Sequence, residues 1–319
     1  MLVRCSRRAF LRGGMGAMAA AMLPSRLAAQ GADAARSEKR RMRLILLGTK
    51  GGPRPGGRHA PSQVIVVDDV PYVVDCGNGV AWQYVAAHLR LERLRYIFLT
   101  HHHSDHNADY GNLFFLAWAS GLKTRVDTYG PPPIEKMTKL FLEMNDYDIK
   151  IRMEDEGRPA LAPLIHAHEF SEPGPVMQDE RVTVTSALVH HPLVAPAFAY
   201  RFDGPDRSIV ISGDTAPSDN LIALAKGADV LVHEVMYLPG IDALLSRVNN
   251  AATLRKHLLD SHTTTEQVGE VAAKAGVKTL VLSHFVPGDD PSITDEMWRE
   301  GPRKHFSGEI IVGRDLMEI

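Results

Sequence analysis

One seven-residue run constrains this chain more than any other feature: Thr100-His101-His102-His103-Ser104-Asp105-His106. The apolar stretch Tyr96 to Leu99 just before it reads as a buried strand. The run therefore reads as the loop after that strand, with H-x-H-x-D-H at positions 101, 103, 105 and 106. In extended backbone, residues two apart project to the same side, so His101 and His103 can grip one cation. Asp105 and His106 follow after a turn and can reach a second. Imidazole with carboxylate suits zinc, and mixed nitrogen and oxygen ligation also accepts manganese or iron.

The missing donors lie far along the chain. His190 follows the strand-like run Val182 to Val189, with His191 directly beside it. Asp214 sits in Ile211-Ser212-Gly213-Asp214-Thr215, where glycine permits close backbone approach. His284 ends Lys278-Thr279-Leu280-Val281-Leu282-Ser283, which echoes Tyr96 to Thr100: each is a buried strand, a hydroxyl residue, then histidine. Two αβ halves facing each other would bring both strand ends to one edge. Strand runs at 43–47, 63–67, 72–74, 123–129, 197–202, 208–211 and 230–232 alternate with helical runs at 80–89, 112–119, 134–144, 220–226 and 264–275. Residues 131–180 are less regular and broken by proline, and read as a lid or insertion; His166 and His168 within it read as loop or polar-face histidines, although a lid could bring them to the site. The Gly/Pro-rich Gly48 to Gly57 lacks the spacing of a phosphate-binding P-loop and reads as a turn bordering a site.

The first 29 residues hold five arginines and no acid. Arg7-Arg8 precedes a Gly/Ala-rich run too short to span a bilayer, and a small-residue cleavage site follows. This is the order of a twin-arginine (Tat) signal, so 1–29 is expected to engage the Tat export machinery, 30–42 to be a lead-in, and the protein to be periplasmic or secreted, without a membrane span. Removing the signal leaves 31 basic and 38 acidic side chains, a net charge of −7, which disfavours a nucleic-acid partner. Cys5 leaves with the signal, and Cys76 in its apolar surroundings reads as a buried structural thiol.

The sequence resembles the metallo-β-lactamase superfamily over residues 43–319, and within it the tRNase Z and zinc-dependent arylsulfatase branch. The likeness rests on Leu47-Gly48-Thr49, Val74-Asp75-Cys76-Gly77, the H-x-H-x-D-H run, Ser212-Gly213-Asp214-Thr215, Val232-His233-Glu234, Ser261-His262-Thr263 and Leu282-Ser283-His284-Phe285. It implies an α/β fold, a four-layer αβ/βα sandwich of two facing mixed sheets with helices outside. It implies two zinc ions: His101, His103 and His190 on the first, Asp105, His106 and His284 on the second, and Asp214 bridging. His191 competes with His190 for that place. Asp75 would orient a ligand histidine. Asp105, Glu234 and His262 would be catalytic, with Glu234 holding His262 protonated so that it donates to the leaving oxygen. A hydroxide shared by two metals would attack the ester.

For substrate, the export signal, the acidic mature chain and the absence of a Lys/Arg-rich arm between 121 and 180 favour a small-molecule ester, an aryl sulfate or phosphodiester, with no nucleic acid. A homodimer is compatible with this reading. The alternatives are a lactone or β-lactam hydrolase, a tRNA 3′-processing-like nuclease, and a metal-binding protein without turnover.

Overall fold

The structure, a computed structural model, describes residues 41–319. The expected signal at 1–29 and nearly all of the lead-in lie outside the described residues. The first half runs β1 (Met42–Gly48), β2 (Ser62–Val67), β3 (Val70–Val74), α1 (Val80–Ala86), β4 (Tyr96–Phe98), α2 (Ser104–Asn107), α3 (Tyr110–Ala119), β5 (Val126–Gly130), α4 (Ile134–Met144), α5 (Asp146–Asp155) and β6 (Ile165–Glu169). The second half runs β7 (Gly174–Gln178), β8 (Thr183–Leu188), β9 (Phe198–Asp203), β10 (Ser208–Ile211), α6 (Asp219–Leu224), β11 (Val230–Met236), α7 (Ile241–Leu245), α8 (Ala251–Ser261), α9 (Thr265–Ala275), β12 (Thr279–Val286), α10 (Asp295–Arg303), β13 (Glu309–Val312) and β14 (Met317–Glu318).

Alternation along the strands decides how these elements stack. In β1, Leu44 and Leu46 face Phe198, Tyr200 and Phe202 across the interior between two sheets. Ile45 and Leu47 point the other way, onto Tyr84, Phe114 and Trp118 of the helical layer. On the far side, Val210, Leu231 and Leu280 pack against Val268, Val271 and Trp298. Both sheets have seven strands, ordered β14-β1-β2-β3-β4-β5-β6 and β13-β12-β11-β10-β9-β8-β7. Each is mixed: β3 to β6 and β10 to β13 are parallel neighbours, and the remaining pairs are antiparallel. This is the expected four-layer αβ/βα sandwich. Parallel strands buried on both faces explain the nearly unbroken apolar runs of β4, β11 and β12.

Residues 131–180 correct the expectation of a lid. They form α4 and α5, then β6 at the edge of one sheet and β7 at the edge of the other, so this stretch is where the chain crosses the sandwich. His166 and His168 accordingly bond Pro163 O and Asp127 rather than entering the site. Among the described residues no helix is long and apolar enough to cross a membrane.

Candidate metal centre

The ends of β4, β8, β10, β11 and β12 deliver the centre. After β4 the chain is extended through His101 and His103, then turns into α2, so Asp105 and His106 come from a helical turn rather than a loop. His102 turns away to Pro131 O at 2.8 Å. Gly213 has φ +60, and a Cβ there would lie 2.8 Å from Phe198 O, so only glycine makes the turn that presents Asp214. His284 lies within β12. Pairing with β11 steps from Glu234–Ser283 to Val235–Phe285, leaving His284 as the extra residue of a bulge at φ +46. A bulge re-aims a side chain at the expense of local pairing, and here it turns the ring into the centre. In β11, Val230, Val232 and Glu234 share one face, which carries Glu234 to the same edge.

Beside a third set made of Glu234, His262 and His284, two groups of donor atoms share Asp214. His101, His103, His191 and Asp214 form one, and Asp105, His106, Asp214 and His284 the other, the atoms of each group lying within 4.8 Å of one another. In the first, His103 Nδ1 lies 3.2 Å from both His101 Nε2 and His191 Nε2, and Asp214 Oδ2 lies 3.8 Å from His101 Nε2. In the second, Asp214 reaches His106 Nε2 at 3.2 Å and His284 Nε2 at 3.1 Å, and Asp105 Oδ2 reaches the same two rings at 3.7 and 3.5 Å. Asp214 belongs to both. Among the described residues, His106 Nε2, His284 Nε2 and Asp214 Oδ1 are buried with no hydrogen-bond partner. Orphaned buried nitrogens and a carboxylate oxygen aimed at common points cost free energy unless a cation satisfies them, so the residues fit a dinuclear metal centre.

The expected ligand His190 is corrected to His191. Strand β8 stops at Leu188, and His190 forms an isolated bridge to Ala216, its amide donating to Thr215 Oγ1 at 3.1 Å. That bridge leaves the His190 side chain exposed and sends His191 inward, where it is 3% exposed. His191→Ala is expected to lose bound metal, whereas His190→Ala keeps it; elemental analysis of the two purified variants decides.

A buried carboxylate orders the ligands. Asp75, at φ +61 after β3, accepts from the Thr100 amide at 2.8 Å and Thr100 Oγ1 at 2.9 Å, and holds His106 Nδ1 at 2.7 Å. Its grip on Nδ1 leaves Nε2 of His106 as the ligating atom. Beside the ligands, Glu234 Oε1 accepts from the amides of Thr215 at 3.2 Å and Thr263 at 3.1 Å and holds His262 Nδ1 at 3.2 Å. His262 ends α8, and Thr264 opens α9 with a capping box to Gln267, so the turn carrying His262 is pinned from both sides. Sequence reasoning missed His257. It lies on the inner face of α8, its ring 5.8 Å from His103, 5.6 Å from His191 and 5.7 Å from His262. Its spacing with Leu254, Leu258 and Ser261 is the signal that would have found it.

Charge in the centre is strongly biased. Burial lowers the His101 pKa well below the ordinary value and pushes His191 down to about 3, so both stay neutral and able to ligate. For His284 burial opposes the charge, but Asp214 and Asp105 outweigh it and push the pKa up to about 10. Asp214, despite burial, is held well below the usual carboxylate range by His106 and His284. The stability that the raised His284 lends the metal-free protein is fully present below pH 6.5 and is lost as pH climbs toward about 10. The depressed Asp214 contributes stability above its unfolded value of about 3.9, lost as pH falls through its folded value. Thermal melts of chelator-treated protein are therefore expected to fall in midpoint from pH 6.5 to 10. A flat profile across that window would remove the charged His284–Asp214 pair.

Residues 72–285 match the β-lactamase superfamily domain. A ribonuclease Z of Mycobacterium bovis is 32% identical over 282 residues, covering 87% of this chain and 98% of that protein. A ribonuclease Z of a Mycobacterium species (strain KMS) is 33% identical over 280 residues, covering 86% and 95%. Among solved structures, the short form of human tRNase Z aligns with a TM-score of 0.63 at 21% identity, over 87% of this chain and 98% of that one. A metallo-β-lactamase fold protein of Bacillus subtilis aligns with a TM-score of 0.62 at 20% identity, over 87% and 98%. Relatives named ribonuclease Z over nearly their whole length overturn two expectations: the small aryl-sulfate-type ester as main substrate, and the absence of a nucleic-acid partner. The reason is physical. A His/Asp centre with a Glu–His couple beside it would suit any ester of an oxyanion, so such residues do not discriminate substrate size, and whole-chain net charge says little about one cleft.

Proposed function

We propose, for a chain that belongs to the β-lactamase superfamily and within it to the ribonuclease Z branch, that it is a metal-dependent nuclease hydrolysing a phosphodiester bond of RNA in the manner of tRNA 3′ processing. The carrying observation is the pairing of two donor groups that share Asp214 with a buried Glu234–His262 couple beside them. His101, His103 and His191 would hold one zinc ion, Asp105, His106 and His284 the other, and Asp214 both. Bound there, two divalent cations supply Lewis acidity toward the phosphate and lower the pKa of water toward neutrality.

The chain's own residues do the rest. Asp75, itself fixed by the Thr100 amide, holds the His106 ring so that its proton stays on Nδ1. The Gly52 amide donates to Asp105 Oδ2 at 2.9 Å, fixing that carboxylate against the loop after β1. Gly51 lets this loop approach, since a Cβ there would lie 2.7 Å from the His284 ring. Burial opposes a charge on His262, but Glu234 outweighs it and raises the pKa. With Nδ1 engaged by Glu234, the transferable proton sits on Nε2. As the phosphorus–oxygen bond to the ribose breaks, that oxygen takes the proton from His262 Nε2, and His262 is left neutral against Glu234.

The test is cleavage of a precursor tRNA carrying a 3′ extension by zinc- or manganese-loaded protein, with product ends mapped. Release of the extension at one position is the expected result. Turnover of aryl sulfates without any RNA cleavage would sink the reading.

A further inference from the structure

Strand alternation puts three polar side chains into the apolar space between the sheets, next to the metal centre. In β2, Ile65 and Val67 face that interior, so Gln63, two residues earlier, faces it as well. In β11, Val230 and Val232 take the interior face and Glu234 continues it. In β12 the same row runs from Val281 to Ser283, and strand pairing sets Ser283 beside Glu234. Each apolar row thus ends in a polar group. Gln63 is 4% exposed, and Glu234 and Ser283 are 2% exposed. Burying such groups costs free energy unless they are hydrogen-bonded. Glu234 Oε1 is engaged by Thr215, Thr263 and His262. Among the described residues, Glu234 Oε2, Gln63 Oε1 and Ser283 Oγ are buried and bonded to no other group of the protein.

The same three residues line a chamber of about 20 Å³. Ile211 and Val232 add apolar surface to it, and His106, Asp214 and His284 connect it to the metal centre. We infer that this chamber holds one ordered water molecule bonded to Gln63, Glu234 and Ser283, and that Gln63 is, through that water, a positioning residue for Glu234. A water needs roughly 10–15 Å³ and two to four polar partners, and the chamber offers both. The proton count closes. The carboxylate and the amide oxygen only accept, so the water donates one proton to each, and the serine hydroxyl donates to the water. Three oxygens fall short of the roughly six that a hard cation gathers, which favours water over a third ion. The water joins the sheets, Gln63 belonging to one and Glu234 and Ser283 to the other. It holds Glu234 Oε2 while two amides and His262 hold Oε1, so the carboxylate cannot swing without breaking both sets. The site itself does not depend on what the enzyme cuts; its effect on turnover rests on the reading of His262 as proton donor given above.

Diffraction from the zinc-loaded protein tests the site. A water peak about 2.5–3.0 Å from Gln63 Oε1, Glu234 Oε2 and Ser283 Oγ is the expected result. A dry chamber, or a peak ringed by about six oxygens at cation distances, overturns it. Gln63→Met keeps the volume and removes the acceptor. That variant should lose the water, keep its metal content and KM, and lose about tenfold in kcat on precursor tRNA. Ser283→Ala should do the same if the first variant folds poorly. An unchanged kcat in a folded variant that has lost the water, or a loss carried by missing metal or a raised KM, overturns the positioning role. A wild-type crystal that shows the water, from a protein that cleaves no precursor tRNA, instead overturns the nuclease reading and leaves the water site standing.

Discussion

Asp214→Ala is expected to strip the protein of both metals and abolish turnover, and to destabilise the metal-free chain as well. The carboxylate is 2% exposed and reaches His106 and His284 at 3.2 and 3.1 Å. Removing one partner of a buried ion pair leaves the other charge uncompensated, which costs about 3–5 kcal/mol near neutral pH. The loss therefore appears twice: as missing metal in elemental analysis, and as a lower denaturation midpoint in the presence of chelator. A chelated Asp214→Ala protein as stable as chelated wild type would show that the carboxylate does not compensate these rings. The double signature separates Asp214 from His101, which burial keeps neutral and whose replacement costs metal without stranding a charge.

His262→Ala is expected to keep its metal and lose about 10²–10⁴ in kcat, the range for a positioned proton donor. His262 contacts Glu234 and the cavity beside the centre but belongs to neither ligand group that contains Asp214. Glu234→Gln discriminates further. The amide oxygen can still accept from Thr215 and Thr263, so the turn stays folded, but the charge that raises the His262 pKa is gone. An acid works only below its pKa, so the alkaline limb of the kcat profile should move to lower pH. A purely structural Glu234 would lower activity without moving that limb, and an active His262→Ala enzyme would end the assignment.

The architecture was legible because strands buried on both faces write themselves as apolar runs, and because the echo of 96–101 in 278–284 placed two strand ends at one edge. Most of the centre was legible for the same reason: a donor directly after an apolar run projects from a sheet edge. His190 failed where that rule weakens. Reading the strand through Val189 assigns the inward phase to the wrong histidine, because the bridge to Ala216 resets the alternation beyond Leu188. His257 and the inner face of α8 were not legible because their role depends on how a helix docks, which periodicity alone does not fix. The stretch at 145–158 read as merely polar, yet 146–155 is helical, its Asp146–Lys150 and Asp148–Arg152 pairs supporting the turn at four-residue spacing. Substrate was misjudged because overall acidity, the export signal and the missing basic arm were weighed above the likeness to the tRNase Z branch that the motifs already carried.

His101, His103, Asp105 and His106 come from the early part of the polypeptide, and His191, Asp214 and His284 from the late part. A nascent chain halted after its first 180 residues owns four donors and lacks the carboxylate common to both groups. Tight cation capture must then wait until the second sheet docks on the first, so uptake reports completed assembly rather than mere synthesis. Once seated, the ions would act as rivets between the early and late halves of the molecule, and truncated products should leave the ribosome metal-poor.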